Sequence, residues 1–224
     1  MTLSIKECVR FGWNTFKKRP WILIGALALG IIVEGVTSVL EENTNPNGVV
    51  GVIVLLISLL VSMLYALGQT HFFLKAHDNV EEVRFKDLWY PKPFLHFLGT
   101  SILLWLFIGI PYLALVFLNV PEVVLILLII PALVVSLVFG FAFYLVVDRG
   151  LNAIEALKES ARLTEGHRKH LFLLLLAVIG LNIVGLVALI IGLFVTVPVT
   201  VLAMMHAYRV LSGAELPVVA PADA

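Results

Sequence analysis

Apolar residues in this chain run too long to be the buried stripe of a soluble helix. A hydrocarbon core of about 30 Å takes about 20 helical residues. Residues 21–40, 49–74, 97–118 and 123–147 each meet that length with few charges. The turn-rich stretch NTNPNG at 43–48 divides the first pair. Asn119, Val120, Pro121 and Glu122 divide the second, with Pro121 suited to the first turn of a new helix.

The last apolar run, 171–205, holds 35 residues. As one straight helix it would measure about 52 Å. Fitting it into the bilayer would need a tilt near 55°, beyond the usual range of about 0–40°. The run therefore reads as two spans, 170–188 and 192–210, joined by a tight turn near 190–192. The expected fold class is all-α: a polytopic bundle of six transmembrane helices forming one domain over 1–212, with a short tail at 213–224.

Composition agrees. Hydrophobic residues make up 61% of the 224 residues and charged residues 13%. The mean hydropathy is +1.06. A soluble domain carries about 25% charged residues. These values exclude disorder and an ordinary soluble globule. The formal net charge of zero argues against a nucleic-acid partner. Cys8 is the only cysteine, so an internal disulfide and a cysteine zinc site are both excluded; it reads as a small apolar side chain. Residues 1–33 loosely imitate a secretory signal, but the leading region is long and amphipathic and no A-x-A-like site follows. The run from Trp21 is expected to stay as the first span.

Charge placement tests the count of six. Lys6, Arg10, Lys17, Lys18 and Arg19 precede the first span. Lys75, Arg84, Lys86 and Lys92 lie between spans two and three, and Arg149, Lys158, Arg162, Arg168 and Lys169 between four and five. Arg209 ends the sixth. Six crossings thus gather all fifteen basic residues on one face, and the opposite loops carry only Glu41, Glu42 and Glu122. The positive-inside rule makes the basic face cytoplasmic, with both termini there and a bacterial-type inner membrane as the setting.

Three amphipathic elements lie on that face. In 4–18, Ser4 and Glu7 have capping-box spacing. Ile5, Cys8, Val9, Gly12 and Phe16 form one helical stripe. Such a helix is expected in the headgroup layer, its bases near anionic lipid. In 152–165, Asn152 and Glu155 again suit a cap, Ile154, Leu157 and Ala161 form a narrow stripe, and Gly166 suits the C-terminal stop. That helix is expected to pack on the bundle. The middle element is short: Phe85, Leu88 and Trp89, stopped by Pro91 and Pro93. Shifting the chain by 150 residues matches Lys18-Arg19 to Arg168-Lys169, Gly30 to Gly180 and Gly35 to Gly185, an internal repeat or a coincidence of common residues.

Within the spans, Ser58, Ser62, Ala66 and Thr70 recur at four-residue spacing, a face for close helix packing. Glu34 is the one acidic residue well inside an apolar run. It is either a functional intramembrane carboxylate or a side chain reaching back to the outer interface. Asn182 suits an interhelical hydrogen bond. Together they are the candidate intramembrane polar site. Pro111, Pro131 and Pro198 interrupt spans, as in transporters with broken helices and equally in kinked packing helices. Histidines 71, 77, 96, 167, 170 and 206 read as interfacial polarity; His167 and His170 are three apart but straddle a helix start, with no nearby carboxylate in metal-site spacing. The motifs HExxH, GxSxG and GxxxxGK[ST] do not occur. No catalytic residue, metal or cofactor is expected.

The stretch from Phe143, FYLVVDRGLNAIEALKESARLTEGHRKHLF, is followed by a glycine-punctuated apolar run and VPVTVLAMMHAYRVL. It resembles the YciC-like bacterial inner-membrane proteins and is similar to the membrane domain fused to some glycerophosphodiester phosphodiesterases. Ala156, Ser160, Leu163, Gly166, Pro198, Ala207 and Tyr208 carry the likeness. It implies a multi-span bundle with large cytoplasmic elements and transfers no activity. The fused proteins keep their chemistry in a separate barrel of about 250 residues, for which this chain has no room. The expected function is a non-enzymatic membrane module that binds a protein partner, a second copy or anionic lipid through Lys17, Lys18, Arg19, Arg168 and Lys169. The rival is a small transporter or lipid-translocating subunit using Glu34 and Asn182. A membrane-embedded lipid enzyme ranks third.

Overall fold

The computed structural model describes residues 3–118, 129–188 and 192–213. Its elements are α1 (Ile5–Lys18), α2 (Pro20–Glu42), α3 (Val49–Asn79), one 3-10 turn (Phe85–Leu88), α4 (Phe94–Phe117), α5 (Ile129–Phe139), α6 (Ala142–Arg149), α7 (Ala153–Thr164), α8 (Arg168–Val187) and α9 (Leu193–Ser212). No strand occurs among the described residues. The chain is all-helical, with six helical stretches long and apolar enough to cross a membrane. The run 171–205 divides as its length requires, between α8 and α9. The turn itself, 189–191, lies outside the described residues, but the Gly192 N–H still reaches the Ala188 carbonyl at 3.3 Å.

Local chemistry sets the helix ends. Ser4 Oγ accepts the Glu7 N–H, and Asn152 Oδ1 accepts the Glu155 N–H at 3.0 Å. Gly150, Gly166 and Gly213 follow α6, α7 and α9 with φ near +70°, the left-handed geometry that a side chain disfavours.

Two expectations change. The span at 123–147, of which 123–128 lie outside the described residues, is broken at Gly140 and Phe141 into α5 and α6. The break exposes the last carbonyls of α5, and that of Val138 accepts the hydroxyls of Ser160 at 2.9 Å and Thr164 at 3.4 Å. The second span runs on past residue 74 to Asn79, carrying Lys75, His77 and Asp78 into the helix.

α9 is the hub. It packs against α1, α2, α3, α7 and α8. Half of its most apolar stretch is buried inside the protein, against 6% for α4, whose surface is left for lipid. α1 turns Cys8, Phe11, Gly12, Thr15 and Phe16 onto the bundle. Any side chain at Gly12 would collide with the Val199 carbonyl of α9. The apolar stripe of α1, expected to enter the headgroup layer, is therefore covered by protein.

α7 does pack on the bundle, through a face that shares only Leu157 with the expected stripe. Ala156, Leu157, Ser160 and Thr164 are buried, while Ile154 is 58% exposed. Small residues at four-residue spacing let α7 approach α5 closely enough for the Ser160 bond, which a wide apolar stripe would prevent. The glycines of the proposed repeat do not share surroundings: Gly30 lies against Tyr65, whereas Gly180 faces open space.

Candidate functional site

One end of the bundle gathers the termini of α3, α6 and α9 around a single cation. Arg209 of α9 is nearly buried. Its Nη1 donates to both carboxylate oxygens of Asp148, at 2.9 and 2.8 Å, and its Nη2 to Asp78 Oδ2 at 2.7 Å. The Tyr208 hydroxyl donates to Asp148 Oδ2 at 2.7 Å. One guanidinium fork thus ties the ends of spans two, four and six.

Two histidines extend the network inward. His77 Nδ1 lies 3.1 Å from Asp78 Oδ1, and its Nε2 lies 3.1 Å from His206 Nδ1. The ring of Phe11 from α1 covers both, 4.4 Å from His77 and stacked at 4.3 Å on His206. These histidines were expected as interfacial polarity; the structure makes them the buried seat of α1. No cluster of metal-ligating side chains exists among the described residues.

The outer face of this end is basic. Lys6, Arg10, Lys17, Lys18, Arg168 and Lys169 are exposed. Trp13, Trp21 and Trp89 stand beside them at 45%, 82% and 70% exposure, the residue type that settles at a membrane interface. Arg19 departs from its expected place in this group. Its Nη1 donates to the carbonyls of Val80, Glu81 and Val83, at 3.4, 2.7 and 3.0 Å, clamping the loop after α3. Lys75 is also engaged, 2.9 Å from Asp87 Oδ1. Burial raises the Asp87 carboxyl, but the Lys75 ammonium and the Arg84 N–H outweigh it and hold it below its usual range. The paired hydrogen bonds from Arg162, both 2.8 Å, lower the Glu159 carboxyl in the same sense. Burial, aided by Glu7, pushes the Cys8 thiol up to about 12, so it stays a neutral core group.

Glu34 and Asn182 are not brought together. Glu34 lies on a groove of about 770 Å³ between α2, α3 and the start of α9, with Ser38, Ser62, Tyr65 and Gln69 as its polar lining. Tyr65 donates to the Ala26 carbonyl at 2.5 Å and accepts from Gln69 Nε2 at 3.3 Å. Asn182 sits in the seam of α8 and α9, where its Nδ2 donates to Thr200 Oγ1 at 3.3 Å. Its Oδ1 is buried without a partner among the described residues. Of the small residues on α3, Ser62 and Ala66 line this groove, and Ser58 is buried nearer the 43–48 turn.

Sequence reasoning missed Asp78, Asp148, Phe11 and the histidine pair. One signal was available: two acids and one base end the three spans that finish on the same face. Comparison with known protein families, curated proteins and solved structures found no significant match.

Proposed function

We propose that this chain is a non-enzymatic membrane module that organises anionic lipid at its basic face, set on the cytoplasmic side of a bacterial-type inner membrane. The supporting observation is the division of labour on α1. Its apolar stripe is buried on α9, while Lys6, Arg10, Lys17 and Lys18 remain exposed beside Trp13 and Trp21. A helix held rigidly by its inner face presents its cations in a fixed array. Each basic side chain near an anionic surface contributes about 1 kcal/mol. Arg168 and Lys169, exposed at the start of α8, extend the same charge. The YciC-like resemblance is compatible with this role and adds no chemistry to it.

The test is lipid retention by the purified protein, measured by native mass spectrometry after exposure to phosphatidylglycerol or phosphatidylcholine. The wild type should keep phosphatidylglycerol preferentially. Reversing Lys17, Lys18, Arg168 and Lys169 to Glu should abolish the preference without unfolding the protein. An unchanged preference would overturn the reading and leave a protein partner as the occupant of this face.

A second reading, a small transporter or translocating subunit, is favoured by the groove at Glu34. Asn182 takes no part in it. Unchanged uptake and export in vesicles carrying Glu34→Gln would remove this reading.

A further inference from the structure

Glu34 is an exposed carboxylate on the apolar helix α2, with no salt-bridge partner among the described residues. No basic side chain among the described residues lines its groove. Arg19, the nearest cation before it in sequence, precedes it by about 22 Å of helix. Thr37 and Ser38 bond the Glu34 backbone carbonyl, at 3.0 and 2.8 Å, and leave the carboxylate alone. Its side chain has no hydrogen-bond partner among the described residues. An isolated charge in so apolar a setting is costly unless a partner arrives from outside.

The groove beside it has the form of a binding site. It follows α2 from Leu27 to Ser38, about 16 Å. Its volume falls within the range of about 300–1,000 Å³ that takes a drug-sized ligand. Glycines open it. Gly30 lies under the Tyr65 ring, and at Gly35 a side chain would meet nothing within 4 Å. Glycine is a poor helix former, so Gly35 weakens α2 while leaving space empty. Leu27, Ile31, Phe194 and Val197 supply apolar walls. The Tyr65 hydroxyl has both of its roles occupied, which leaves Glu34 as the charged group that faces a ligand.

We propose that this groove binds a hydrophobic organic monocation, with the cation at the Glu34 carboxylate and the apolar body along α2 and the start of α9. A phospholipid suits it less well, because its phosphate would be brought against the carboxylate. The inference requires binding alone and does not depend on the transporter reading.

The experiment uses the full chain in phosphatidylcholine nanodiscs, with protein-free nanodiscs as the blank. Tetraphenylphosphonium is the probe, and tetraphenylborate is an anion of the same shape. The wild type should bind the cation saturably and the anion only at the level of the blank. Glu34→Gln should weaken cation binding at least about tenfold, and Gly35→Leu should remove it by filling the groove. Equal cation binding by wild type and Glu34→Gln would overturn the proposal. So would equal binding of the anion, no saturable binding by the wild type, or a tightly held phospholipid that blocks the cation in both proteins. If Gly35→Leu does not fold, Glu34→Gln and the anion still decide. Binding without uptake in vesicles would end the transporter reading and leave this inference standing.

Discussion

The two ends of the bundle solve the problem of polar groups in opposite ways. At the basic end, Asp78, Asp148, Arg209, Tyr208, His77 and His206 bond one another across three spans, with Arg209 Nε the one buried polar atom of that network left without a partner among the described residues. Toward the other end, Glu34 lacks a partner and Asn182 and Thr196 each keep a buried oxygen unbonded among the described residues. The first arrangement is nearly closed, carboxylates and cation bonded to one another, and lends itself to holding shape. The second leaves bonding capacity unused, which is what a binding surface needs. The contrast separates residues whose loss unfolds the protein from residues whose loss changes what it binds.

The strongest challenge to that contrast is Gly12→Leu. It should unseat α1 from the Val199 carbonyl at a cost of about 3 kcal/mol or more. Thermal unfolding in detergent should show the loss, and Cys8, protected in the wild type, should react rapidly with maleimide. Fast labelling of the wild type would show that α1 does not hold its seat. Arg209→Met comes next. It removes the cation shared by Asp78 and Asp148, and the expected loss is about 2–3 kcal/mol, tempered because Tyr208 still donates to Asp148 and Asp78 is half-exposed.

Asp87 gives a pH signature. Its carboxyl is lowered in the folded protein, so its contribution is present above the ordinary value of 3.8 and disappears as pH falls through the lowered one. Asp87→Asn should cost roughly 1 kcal/mol at neutral pH. The gap in melting temperature from the wild type should be full at neutral pH and narrow progressively as pH falls below 3.8. The smallest effect belongs to the other end: Asn182→Leu should cost under about 1 kcal/mol, because its one hydrogen bond is offset by its unpaired oxygen. A loss as large as that of Arg209→Met would erase the distinction between the ends.

Much of the architecture could be read before any coordinates. Run length separates the spans, Ser4 and Asn152 announce their helices, Gly166 stops one, and the excess length of 171–205 demands a break. What could not be read was rotation. A span that is apolar all round carries no periodicity to say which face meets protein, so the hub role of α9 was invisible. Asp78 and Arg209 stand 131 residues apart, and no local pattern joins them. The stripe expected on α7 was Ile154, Leu157 and Ala161; Leu157 is buried as expected, but close approach depends on the small residues Ala156, Ser160 and Thr164. Glu34 was recognised, but the groove was not, because Gly30 is informative only once Tyr65 is seen beside it and Gly35 only once the space next to it is seen to be open.

The docking of α1 on α9 also has a consequence for biogenesis. α1 leaves the ribosome well before α9, and its seat is completed only when α9 emerges. Until then the nascent segment carrying Phe11 and Phe16 must wait without its final surface, so assembly is completed by a contact between segments far apart in sequence. A chain cut short before α9 would leave that segment as a sticky overhang for quality-control proteases to find.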